Sequence, residues 1–165
     1  MTAKSKTLLA AGLVAAIIFT IYWIWSNSPV RAATRSLTEL ADRLQISGGE
    51  SQIVRIGKSE RLKRNVTDPV DIKFREAGRE GNWTASTLGE AYLSAAMAAT
   101  SATIELVDLQ GEETGENEVT LTGQIKASYS GSGTQGRKID RNCRWIMKKN
   151  EDGNWVIASF RETDS

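Results

Sequence analysis

Residues 143–162 read CRWIMKKNEDGNWVIASFRE. Cys143, Trp145 and Met147 fall at every second position, the period of a strand that buries one face. Glu151-Asp152-Gly153-Asn154 supplies the residues of a tight turn. Beyond it, Trp155 and Ile157 point one way while Val156, Ala158 and Phe160 point the other. A strand apolar on both faces belongs in the middle of a sheet that is covered on both sides. The second set, Val156, Ala158 and Phe160, is also an apolar face that a protein partner or a second copy of the chain could use.

The pattern continues backwards from this hairpin. Val119, Leu121, Ile125, Ala127 and Tyr129 alternate with polar residues over a long strand, with Gly123 permitting a bend or bulge. Ser130–Gly136 (SGSGTQG) is a hairpin tip, and Glu112–Asn117 is an acidic turn. Ile104, Leu106 and Leu109 mark another strand. Before it, Ser86 is placed to cap a helix carrying Leu88, Ala91, Tyr92, Ala95, Ala96 and Ala99. Gly78–Gly81 reads as a loop, Val70, Ile72 and Phe74 as a half-buried strand, and Asp68-Pro69 as a turn. Lys58, Arg61, Leu62, Lys63 and Arg64 suggest a short helix ending near Asn65. Leu37, Leu40, Ala41 and Leu44 keep the spacing of one helix face, with Thr34 or Ser36 as its cap and Gly48-Gly49 as its stop. Helix, helix, strand, helix and then an antiparallel meander make an α+β domain.

That order of elements, with a Trp145 strand leading through Asp-Gly into Trp155-Val-Ile157, resembles the nuclear transport factor 2-like domains. These include the SnoaL-like polyketide cyclases and the ketosteroid isomerases. The helix containing Tyr92 and the strand Thr103–Leu109 match the family's third helix and the strand after it. The resemblance spans residues 33–162 in order of elements and the last thirty or so in motif. It implies a cone-shaped domain of about three helices packed on a curved, mostly antiparallel sheet, with a pocket at the open end. Members of the family catalyse, bind proteins or bind small ligands, so fold alone does not decide function. Membrane-anchored members include scaffold subunits of type IV secretion systems, whose motifs this chain lacks; a structural subunit of an envelope assembly remains one of its expected roles.

At the other end, Leu8–Trp25 reads LLAAGLVAAIIFTIYWIW, without a charge. Eighteen residues at about 1.5 Å each span roughly 27 Å, close to the thickness of a bilayer's hydrocarbon core. Tyr22, Trp23 and Trp25 gather at its end, where aromatic rings favour the membrane boundary. A cleaved signal peptide has a shorter apolar region and a small-x-small site, and Val30-Arg31-Ala32 is a poor one. The expected organisation is a basic tail at 1–7, a retained transmembrane anchor at 8–25, a linker at 26–32 and the domain at 33–165. Lys4 and Lys6 place the tail in the cytoplasm and the domain outside it, although Arg31 and Arg35 oppose this.

The chain has 21 basic and 20 acidic residues, no histidine and one cysteine. Removing Lys4 and Lys6 leaves the domain near neutrality, which offers no footprint for nucleic acid. Without histidine, and with Cys143 alone in a core-like strand, no metal site or cofactor is expected. An isomerase of the ketosteroid kind needs a carboxylate base in an apolar pocket and a tyrosine or protonated acid beside it. Asp71, Glu105 and Asp140 are the candidate acids, and strand parity turns Asp71 to solvent. Trp83, Tyr92 and Tyr129 are the candidate ligand-binding aromatics at the pocket rim. The basic group Lys58, Arg61, Lys63, Arg64 reads as a solvated helix face that could also meet anionic headgroups. The expected function is a membrane-tethered, non-catalytic binding module for a protein or small apolar ligand. The alternative is a small isomerase- or cyclase-like enzyme.

Overall fold

The computed structural model describes residues 16–20, 28–74, 79–131 and 134–163. Helix α1 (Pro29–Leu44) opens on a proline, whose missing N–H has no partner in a first helical turn. The helix therefore starts inside the stretch expected to be linker, and Thr34 and Ser36 lie within it. Ser36 turns its hydroxyl to the Trp155 carbonyl at 2.8 Å. Ala33, Leu37, Leu40, Ala41 and Leu44 are buried, the stripe expected from their spacing. Helix α2 (Gln52–Arg64) is capped by the Ser51 hydroxyl and ends at Asn65. Helix α3 (Ala85–Ala98) is capped by Thr84, whose hydroxyl accepts from the Thr87 N–H, rather than by Ser86. Threonine satisfies that orphan donor as well as serine does, and sequence could not rank the two.

Six strands form one mixed sheet in the order β2-β1-β6-β5-β4-β3. They are β1 (Val66–Phe74), β2 (Arg79–Trp83), β3 (Ala99–Gly115), β4 (Glu118–Gly131), β5 (Thr134–Lys149) and β6 (Trp155–Glu162). The β1–β6 pair is parallel and the rest are antiparallel. Strand β6 is central, between β1 and β5, as expected. Three local expectations change. Asp68-Pro69 is a cis bond inside β1, at an irregularity between Val66 and Asp71. Residues 79–83, expected partly as loop, pair with β1 as an edge strand. The acidic run continues β3 to Gly115, so only Glu116-Asn117 turn.

Strand β6 corrects the sequence reading most sharply. Ile146 pairs with Ser159 but Met147 pairs with Ile157, so Ala158 is an extra residue on β6. One inserted residue exchanges the faces of everything beyond it. Phe160 therefore lies opposite Trp145 on the inner face, not outward with Val156. Its ring stands 5.9 Å from Trp145 and 5.8 Å from Phe74. Val156 is itself buried, so the expected outer triad does not exist as an exposed face.

The core has two main clusters. Ala33 and Leu37 pack on Val119, Leu121, Cys143, Trp145, Met147 and Trp155. Leu40, Leu44 and Leu62 pack on Val66, Val70 and Ile72. Ile157 and Phe160 touch both clusters and make them continuous. A second bulge bends β3: Asp108 has φ of 54°, and Val107 and Gln110 pair with Gln124 and Thr122. Gly123 sits opposite, where a Cβ would lie 2.9 Å from both the Val107 carbonyl oxygen and Leu109 Cδ2.

Among the described residues no helix is long and apolar enough to cross a membrane. Of the expected anchor at 8–25, residues 16–20 are described; they are helical, and Ile17, Ile18 and Phe19 are exposed. Thr20 donates its hydroxyl to the Ala16 carbonyl at 2.8 Å. The remainder of the anchor lies outside the described residues.

Two predictions follow from packing. Gly123→Ala should lower stability by about 1–3 kcal/mol in urea unfolding, because the new methyl meets backbone at the bulge. Cys143 is 1% exposed, and burial, with Glu162 adding and Arg141 opposing, pushes its thiol to about 11. Its alkylation at pH 8 should be slower in the native protein than in urea by roughly a hundredfold.

Candidate functional site

An open groove of about 630 Å³ lies between the C-terminal half of α1 and strands β3, β4 and β5. Ile104, Ala127 and Ile139 form one cross-strand row of its lining. Asp42, Glu105, Asp140, Lys126 and Lys138 supply charge around that row. Gln45 holds the helix against the sheet, donating to the Ile104 carbonyl at 3.2 Å and to Asp42 at 3.4 Å. Ile46 adds a two-bond bridge to Ala102 on β3. The groove is thus apolar along one line and charged around it, a surface suited to an extended or amphipathic partner.

The carboxylates are placed differently from what proton abstraction requires. Glu105 and Asp140 are exposed and flank Lys126 by strand register. Asp71 accepts from Arg161 Nε at 3.0 Å, from its terminal nitrogen at 2.5 Å and from the Ser159 hydroxyl at 3.2 Å. A carboxylate held in that fork is committed to structure. The two apolar clusters line the inner face of the sheet, and the groove opens on that same face, since Ala127 and Ile139 keep the strand parity of Val119, Leu121, Cys143 and Trp145. Among the described residues no group of three or more metal-ligating side chains comes together.

None of the three expected aromatics lines the groove. Trp83 lies on β2 opposite Val70 and packs against the Leu40–Ile72 cluster. Tyr129 packs with Ile46, Ala96 and Ala99. Tyr92 touches both of those clusters and donates its hydroxyl to the Leu44 carbonyl, 2.8 Å away. Tyr92 and Tyr129 are brought together around Ile46, and Tyr92 shares the Leu40–Ile72 cluster with Trp83.

Sequence reading missed a polar hub beside Tyr92. Lys58 donates to the Gln45 carbonyl and to Glu50 Oε1, the latter at 2.6 Å. Glu50 also accepts from the Ser47 N–H at 3.1 Å. The Lys58 hydrogen bond holds the Glu50 carboxyl below the usual range against the cost of burial. Arg55 reaches the Ala96 and Ala99 carbonyls at the end of α3, where a cation satisfies orphan acceptors. Glu50 Oε2 and Arg55 Nε are buried without a hydrogen-bond partner among the described residues. The basic group of α2 is therefore divided. Lys58 turns inward and Lys63 lies over Gly89, paired with Glu60 at 2.8 Å, while Arg61 and Arg64 are exposed. The apolar side chains most exposed on the domain are also on this side, Ile53 and Val54 among them.

No protein-family model matches the sequence, and no curated protein matches it. Solved structures do. The chain is similar to a protein from Kribbella flavida at 16% identity, with 82% of this chain and 89% of that one covered and a TM-score of 0.66. It is similar at 12% identity to a candidate dehydratase of the nuclear transport factor 2-like family from Streptomyces avermitilis, covering 81% and 91%, with a TM-score of 0.58. A ketosteroid isomerase-like protein from Erwinia carotovora atroseptica matches at 12% identity over 84% and 99%, with a TM-score of 0.59. At such identities the shared property is the fold, a curved mixed sheet wrapped on helices in the nuclear transport factor 2-like manner.

Burial raises the Tyr92 phenol from 10.0 to about 12, with Glu50 adding to the shift and Arg55 opposing it. A raised value means that the neutral phenol is favoured by folding, so its contribution is complete below pH 10 and is lost towards pH 12. Tyr92→Phe should cost about 1 kcal/mol in urea unfolding at neutral pH. Its stability curve should converge on that of the unsubstituted protein between pH 10 and 12.

Proposed function

We propose that this chain is a membrane-tethered, non-catalytic binding module whose α1–β3–β5 groove receives a segment of a partner protein. The observation that carries the reading is the setting of the carboxylates. The acids at the groove, Asp42, Glu105 and Asp140, are exposed, and Asp71 is held by Arg161. A general base works by being desolvated near its substrate, and these acids lack that setting. The open shape of the groove favours a protein segment over a small apolar ligand, which pockets bury on most sides.

The tether rests on Leu8–Trp25, an uncharged stretch of membrane-spanning length. Its described part supports this: residues 16–20 are helical, and the Thr20 hydroxyl is satisfied within the helix, as lipid demands of any polar group. With the tail cytoplasmic, the domain stands on the extracytoplasmic side of the membrane.

The neighbours described as dehydratase and isomerase-like supply the competing reading, an enzyme acting on a small carbonyl or hydroxyl compound. A photo-crosslinking residue at Ile139, in cells carrying the full chain, separates the two. The expected result is a discrete protein adduct from Ile139, none from Asp152 on the β5–β6 turn, and retention of the chain in membranes washed with alkaline carbonate. Absence of an adduct would defeat the binding reading, and release by carbonate would defeat the tether.

A further inference from the structure

A second hollow, of about 430 Å³, lies at the opposite end of α1. The first turns of α1 contribute Ala32, Arg35 and Ser36, the end of α2 contributes Arg64 and Asn65, and Trp155 closes it. Both arginines are exposed. Beyond a longer-range attraction between Arg64 and Glu60, neither forms a hydrogen bond or ion pair with another described residue. The other polar groups around them are occupied. Ser36 donates to the Trp155 carbonyl, and Glu39 is paired with Arg43 at 3.7 Å. Arg31 stands one helical turn before Arg35 and Arg61 one turn before Arg64, so this corner concentrates four guanidinium groups. Its acids are Glu39, Glu60, which is paired with Lys63, and, in the adjoining turn, Glu151 and Asp152.

Position gives this corner its meaning. Only residues 26–28 separate the end of the apolar stretch from Pro29. Fully extended at about 3.5 Å per residue, they hold Pro29 within roughly 14 Å of Trp25. Arg35 follows about 9 Å further along a helix. The headgroup layer of one leaflet is roughly 5–8 Å deep, and an arginine side chain adds its own length. The hollow between α1 and α2 is thus within reach of the headgroups, at most about 23 Å of chain from Trp25.

We infer that Arg35 and Arg64 form a clamp for the phosphate of an anionic phospholipid headgroup, fixing the domain's orientation on the bilayer. Two guanidinium forks from different helices line the one hollow; such forks suit the oxygens of a phosphodiester, and a planar fork surrenders less water than an ammonium when it binds. Serine, asparagine and the tryptophan rim give the headgroup polar and amphipathic walls. The clamp rests on the tether proposed above. It also selects which groove faces away from the membrane: the partner groove lies by the other half of α1, free of lipid.

The test uses the full chain in nanodiscs of phosphatidylcholine alone or with about a third phosphatidylglycerol. Hydrogen exchange is followed at residues 32–36, 64–65 and 153–155. Exchange there should slow by roughly fivefold or more in the anionic discs, the effect expected of an arginine at such a surface. R35Q/R64Q should abolish the difference while exchange in β4 and β5 stays unchanged. Equal exchange in both discs, or a difference that survives in R35Q/R64Q, would overturn the clamp. So would inorganic phosphate reproducing the protection in neutral discs, since the site would then serve a soluble anion. A chain that fails to enter discs and washes off membranes in carbonate fails at the tether instead, so the two outcomes are separable.

Discussion

The fold depends on Phe160 lying between Trp145 and Phe74. Strand β6 joins an antiparallel half of the sheet, through β5, to a parallel pairing with β1, and the two halves carry separate apolar clusters. A regular β6 would turn Phe160 away from Trp145 and leave those clusters joined only through Ile157. The extra residue at Ala158 reverses the parity and brings the ring inward. On the other face of β1 and β6, Asp71 and Arg161 make a short ion pair. Their side chains are 32% and 54% exposed, so the pair contributes at most about 1 kcal/mol. Burial of the aromatic side chains outweighs it, since each is worth a few kcal/mol.

That continuity has a functional consequence. Helix α1 buries its stripe along both clusters, and beside its C-terminal half the inner face of the sheet is left as the open groove over Ile104, Ala127 and Ile139. What remains for recognition is the surface flanking α1. The helix has two such flanks, a mixed apolar and charged groove near Asp42 and Gln45, and an arginine-lined hollow near Ala32 and Arg35. They lie at opposite ends of one rigid element, so holding one end fixes the direction in which the other is presented.

The polar hub behind Tyr92 explains how α2 and α3 stay in register without a large apolar contact. Gly89 and the alanines of α3 allow close approach, and the Ser59 hydroxyl bonds the Gly89 carbonyl at 2.7 Å. Arg55 then caps the end of α3, while Lys58 and Glu50 close the loop after α1. Charged side chains here act as caps and struts, which removes them from the pool available for binding. Only Arg61 and Arg64 of that basic group remain exposed, and they lie towards the end of α2 that meets the start of α1.

Periodicity alone determined the helices, the strands other than the edge strand β2, the burial of Cys143 and Trp145, and the membrane-length apolar stretch. Those properties follow from local spacing and from which side chains avoid water, and both are written in neighbouring residues. Where a chain inserts one extra residue is a different matter. The bulges at Ala158 and Asp108 are set by how strands fit across the sheet, and the sequence of β6 reads equally well with Phe160 outside. The same holds for Tyr92 and the group Glu50, Arg55 and Lys58, which come from two separate stretches and meet only because α2 and α3 pack antiparallel. Arg35 and Arg64 share a hollow for that reason too, since two residues far apart in sequence become one site only when the helices carrying them are laid side by side.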